Sequence, residues 1–125
     1  MVEKKAIALE IARTYFEGMA TKDVERIMTV SDDHVICNSP IGQLRGSEAF
    51  RNFQKGFAKM IKKLTLVAAF GDGRQAVIVY DAETHPVSSA LVAEVIAVDN
   101  GKMISTTVIY DATPFAAYMA TVQPH

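Results

Sequence analysis

Apolar residues at Ala8, Ile11, Ala12, Tyr15, Phe16 and Met19 keep the i, i+3, i+4 spacing of a helix that buries one stripe. Gly18 and Thr21 interrupt the pattern, which restarts on Val24, Ile27 and Met28 with Thr21 as the predicted N-cap and Asp23 in the first turn. A second, shorter helix follows. Residues 31–34 read as a polar turn, 35–37 as a brief strand closed by Asn38, Ser39 and Pro40, and 41–46 as a loop. Ser47 is the predicted N-cap of a third helix, whose inner stripe runs through Phe50, Phe53, Phe57, Met60, Ile61 and Leu64.

Past Leu64 no helical period survives. Residues 64–70, 74–83, 88–98 and 102–111 read as four strands. Gly71-Asp72-Gly73 and Asp99-Asn100-Gly101 supply residues that tolerate positive φ at hairpin turns, and His85-Pro86 breaks the middle connection. The element order ααβαββββ predicts an α+β protein in which three N-terminal helices pack on one curved, mostly antiparallel sheet. The tail 113–125 carries Phe115, Tyr118 and Met119 and is expected to fold back onto the body.

The strand over 88–98 holds one carboxylate, Glu94, inside an apolar run. Strand alternation puts Val92, Glu94, Ile96 and Val98 on one face and Leu91, Ala93, Val95 and Ala97 on the other. Both faces call for burial, so Glu94 must either meet a polar partner or line a cavity.

Composition narrows the partners. At 125 residues, half of them apolar, the chain is long enough for one core, and it reads as a single domain over 1–125. Thirteen basic residues nearly balance fourteen acidic ones, which leaves no global field to gather nucleic acid or coat a membrane surface. The single cysteine, Cys37, has no internal disulfide partner, no run approaches the length of a spanning helix, and the N-terminus carries Glu3 and Glu10 in place of an uninterrupted apolar leader. These features fit an unprocessed cytoplasmic protein. Arg51, Lys55, Lys59, Lys62 and Lys63 form a basic stripe on the third helix, read as a solvated face and not as an anion site.

The loop Asn38-Ser-Pro-Ile-Gly-Gln-Leu-Arg-Gly46, followed by a helix, resembles the nuclear transport factor 2-like superfamily, in particular the ketosteroid isomerases and the SnoaL-like polyketide cyclases. The Lys22-Asp-Val24 restart and the four-strand meander arrive in that superfamily's order, so the resemblance spans nearly the whole chain. It implies a cone that encloses an apolar pocket, here walled by Phe53, Phe57, Val92, Ile96 and Tyr110. It also implies a homodimer formed through the outer sheet face, which suits the apolar Leu91, Ala93, Val95 and Ala97.

Residue by residue, the resemblance is uneven. In the isomerases a tyrosine of the first helix donates to a developing enolate, and Tyr15 stands at that position; a second acid, kept protonated by apolar surroundings, matches Glu94. Their catalytic aspartate precedes the loop proline, where this chain has Ser39, which cannot abstract a proton from carbon without a base of its own. Limonene epoxide hydrolases hold a water with an asparagine two residues before a proline, where Asn38 stands, but their Arg-x-Asp pair has no counterpart over 77–83.

Other candidates are weaker. Asp81, Glu83 and His85 alternate on one strand face that runs toward the Pro86 break, and His34 lies elsewhere, so no constellation is adequate for a metal. Cys37 reads as a buried thiol and Tyr110 as packing near the pocket opening. The expected function is acid–base catalysis on an apolar ring compound, of isomerase, cyclase or dehydratase type, with Tyr15 and Glu94 polarising an oxygen and Asn38 or Ser39 orienting the reacting group. No cofactor or metal is called for. The rivals are a non-catalytic binding protein that kept the cone and lost the base, an epoxide-hydrolase-like enzyme and a protein-interaction module.

Overall fold

In the computed structural model, residues 6–116 are described. The elements are α1 (Ile7–Ala20), α2 (Val24–Thr29), β1 (Ser31–Ser39), β2 (Gly42–Arg45), α3 (Ser47–Met60), β3 (Ile61–Gly71), β4 (Gln75–Thr84), β5 (Ala90–Asp99) and β6 (Lys102–Ile109).

The predicted apolar stripe of α1 is the buried one, from Ala8 to Met19. Thr21 closes this helix and does not open the next. Its hydroxyl donates to Glu17 O at 2.7 Å, while the Asp23 carboxylate accepts from Arg26 N at 3.1 Å and caps α2. Lys22 takes φ 61 between them, which ends the first helix within one residue. The two helices can then meet closely because Gly18 has no side chain: a Cβ there would lie 2.7 Å from Ile27 Cγ1.

Two strands are longer than their sequence signals. β1 includes 31–34, read above as a turn, and β2 forms within the stretch read as a loop. The first of these readings rested on polarity. Asp33 and His34 are polar because they face solvent, while Ser31, Val35 and Cys37 are buried on the other side. The third helix is also shorter than predicted and starts differently. Gly46, at φ 91, is its N-cap, with no side-chain cap hydrogen bond, and Ser47 is already the first helical residue. It stops at Met60, and Ile61 is already extended at φ −71, ψ 130. A register shift between Ile61 and Lys63 turns both Ile61 and Leu64 inward, and this bulge imitates helical i, i+3 spacing inside a strand.

The sheet order is β2-β1-β6-β5-β4-β3. β3 to β6 form the expected antiparallel meander, and β1 joins its far side parallel to β6. Asn100 at φ 51 and Gly101 at φ 73 make the two-residue turn between β5 and β6. Shifts in β3 and between Ala97 and Val98 help bend the sheet around the helices. The core between the layers is built on Phe16, Ile27, Phe50, Ile78, Ile96 and Met103, each worth roughly 1.5–3 kcal/mol of burial. On the outer face Leu91 and Ile109 stay more than half exposed. Among the described residues no helix is long and apolar enough to cross a membrane.

Candidate functional site

Glu94 sits in the middle of β5, opposite Ile78 of β4 and Val108 of β6, with its side chain turned to the helices. Alternation alone sets that direction. The residue is 1% exposed, and its carboxylate accepts three hydroxyl hydrogen bonds from three different elements. Tyr15 of α1 donates to Oε1 at 2.8 Å, Thr106 of β6 donates to the same oxygen at 2.7 Å, and Tyr80 of β4 donates to Oε2 at 2.5 Å. Gln54 of α3 donates in turn to the Tyr15 hydroxyl at 3.3 Å. The chain Gln54 to Tyr15 to Glu94 therefore delivers its protons toward the carboxylate.

No cation answers this charge. Of the two side-chain ion pairs among the described residues, Arg26 with Glu17 and Arg51 with Glu25, neither reaches Glu94. Burial pushes the carboxyl above its ordinary value of 4.5, while the bonds from Tyr80, Thr106 and Tyr15 pull it down. Burial, and then the charge of Glu94, push both Tyr15 and Tyr80 well above the ordinary phenol value, so both stay protonated and act as donors. Cys37 is pushed up to about 12 by burial first and Glu94 second, which leaves an inert thiol.

The cluster forms part of the wall of a cavity of about 720 Å³ between the sheet and the helices. Phe53, Gln54, Phe57 and Met60 line it from α3, and Tyr15 and Met19 from α1. The sheet supplies Tyr80, Val92, Glu94 and Val108, then Tyr110 just past β6. The exposed Ile41, Asn52 and Ala116 mark its opening, and Phe115 packs edge-on against Tyr110 there, with ring centroids 5.5 Å apart. Tyr118 and Met119, also expected on the body, lie outside the described residues.

Thus Tyr15, Glu94, Phe53, Phe57, Val92 and Tyr110 come together around one cavity. Ile96 does not line it; wholly buried opposite Thr106, it belongs to the core beneath. Asn38 and Ser39 are also apart from it. Asn38 Oδ1 accepts from Gln43 Nε2 at 2.7 Å across the β1–β2 hairpin, and Ser39 Oγ is engaged with Gly42 O and Ile41 N within the turn. His34 and His85 are exposed, and Asp81 accepts from Ser89 on the outer side. Among the described residues no group of three His, Cys, Asp or Glu side chains is placed to hold a metal ion.

Sequence reasoning missed Tyr80, Thr106 and Gln54. Each had a signal. Tyr80 falls on the buried alternation of β4 with Ile78 and Ala82, and Gln54 is a lone amide on the same stripe as Phe50. Thr106 faces Ile96 across the β5–β6 ladder, a position that needs the register of the hairpin.

The model of the SnoaL-like domain family matches residues 12–106. A solved structure from Kribbella flavida is 31% identical, covers 94% of this chain and 97% of its own, and superposes with a TM-score of 0.88. A SnoaL-like protein of unknown function from Burkholderia thailandensis is 18% identical, with 88% and 99% of the two chains covered and a TM-score of 0.73. An NTF2-like protein of unknown function from Mesorhizobium loti is 13% identical, covers 89% and 97%, and reaches a TM-score of 0.79. At such identities the last two show the fold alone. No protein of curated function matches the chain.

Proposed function

The chain belongs to the SnoaL-like domain family, and from that premise we propose that its cavity takes an apolar ring compound on which Glu94 performs acid–base chemistry of isomerase, cyclase or dehydratase type. The observation that carries this reading is the carboxylate itself: buried, unpaired with any cation, and set in the wall of a cavity lined mainly by Phe, Tyr, Met and Val. Burial raises the proton affinity of this group and the hydrogen bonds trim it, so its environment tunes a carboxyl that can both give and take a proton.

In this mechanism Tyr15, Tyr80 and Thr106 hold the carboxylate in one rotamer, so that its remaining lone pair meets the bound ring in a fixed direction. Phe53 and Phe57, stacked at 6.3 Å between centroids, offer an apolar wall against which a ring can lie. Turnover by purified protein should fall about 100-fold or more in Glu94→Gln and by a smaller factor in Tyr15→Phe. Unchanged turnover in both variants would remove the role assigned to the carboxylate.

A second reading, a binding protein without chemistry, is favoured by one specific observation. Ser39 stands where related isomerases have their base, and neither it nor Asn38 reaches the cavity. A ligand extracted from the protein chemically unaltered after prolonged incubation would favour that reading. The proposal also has two copies meeting through the outer sheet face, which would cover Leu91 and Ile109.

A further inference from the structure

Six aromatic side chains line the cavity: Phe53, Phe57 and Phe115, and the tyrosines Tyr15, Tyr80 and Tyr110. Its one ionisable carboxylate is Glu94, and among the described lining residues there is no Lys, Arg or His. We infer that the preferred ligand carries a protonated amine on its apolar ring body, and that neither an anion nor a compound whose only polar group is a carbonyl is the natural fit. The inference rests on the reading of the cavity as a ligand site.

Two independent features point the same way. The first is the direction of the hydrogen bonds. Tyr15, Tyr80 and Thr106 have one hydroxyl proton each, and all three are spent on Glu94. The Gln54 amide donates to Tyr15. A ligand carbonyl set against Glu94 would have to take a hydroxyl proton from one of these bonds, leaving a carboxylate oxygen short of a donor. It would otherwise turn to Tyr110, Asn52 or the second Gln54 N–H elsewhere on the wall. An ammonium group, by contrast, brings donors of its own to a site already organised around acceptance.

The second is the aromatic wall. Ring faces attract a cation through their quadrupoles, and the effect grows when water is excluded. An anion meets the opposite condition: the ring faces and Glu94 both repel it, and no basic side chain is there to receive it. A buried carboxylate without a positive partner is costly, and a cationic ligand would supply what the fold omits.

Isothermal titration at pH 8 with three rigid probes of similar size tests this: 1-adamantylamine, 2-adamantanone and 1-adamantanecarboxylate. The amine should bind at least about tenfold tighter than the ketone, and the carboxylate more weakly than either. Glu94→Gln should abolish the preference for the amine. Since that variant alters a buried cluster, the wild-type protein provides a second measurement: amine affinity should fall as pH is lowered, because protonation of Glu94 removes the charge. Binding of the ketone or carboxylate as tight as the amine would overturn the inference while leaving the ligand cavity standing. An amine preference that survives both Glu94→Gln and acidification would also overturn it. Failure of all three probes to bind would overturn both the inference and the cavity reading beneath it.

Discussion

Glu94 is held by three hydroxyls and opposed by no charge, and this makes its protonation part of the stability of the fold. Burial raises the carboxyl above 4.5, so the folded chain retains a proton over a window that begins there, where the unfolded chain has released it. The stabilisation from this group is fully present below the window and is lost as pH rises through it, at about 1.4 kcal/mol per pH unit. Urea unfolding at a series of pH values should show that decline in the wild type, and Glu94→Gln should flatten it. At the same scale the sequence was readable in part. Tyr15 and Glu94 stand out as polar exceptions on apolar stripes. Tyr80 hides among strand residues that favour tyrosine anyway, and Thr106 is ordinary until the β5–β6 register places it beside the carboxylate.

The elements differ in how plainly the chain announces them. The α1 stripe and the meander obey simple periods and are found where those periods predict. β1 and β2 were obscured because polar side chains cover their outward faces, and the end of α3 because the bulge near Ile61 mimics a helix. The β3–β4 connection was legible for its glycines, and one of them meets a steric limit. A Cβ on Gly71 would lie 2.5 Å from Gln75 O and 2.7 Å from Ala76 Cα, both backbone atoms that cannot swing aside. Gly71→Ala should therefore destabilise the protein by about 1–3 kcal/mol, read as a lower urea midpoint with unchanged slope. Gly101, whose Cβ would meet nothing within 4 Å, serves as the contrasting site: at φ +73 any cost of Gly101→Ala comes from backbone strain.

For the whole molecule, the two faces of one sheet do different work in the proposed function. The inner face turns Val92 and Glu94 to the cavity, while the outer face leaves Leu91 64% and Ile109 55% exposed. In the proposed dimer that outer surface is covered by its twin. The paired substitution Leu91→Lys with Ile109→Lys should convert a species of twice 13.6 kDa into a monomer in light scattering, with the far-ultraviolet spectrum preserved. A wild type that is monomeric at all concentrations would remove the dimer. The sheet order also has a consequence in time. β1 comes from the first third of the chain, yet it lies parallel to β6, the last of the described strands to be made. On the ribosome β1 and β2 wait as a two-stranded ribbon, marginal by itself, until the rest of the chain has emerged. Tyr15 belongs to the first helix and Thr106 to that final strand, so the carboxylate cluster is a late product of folding: an emerging chain can acquire helices and hairpins before it possesses a site.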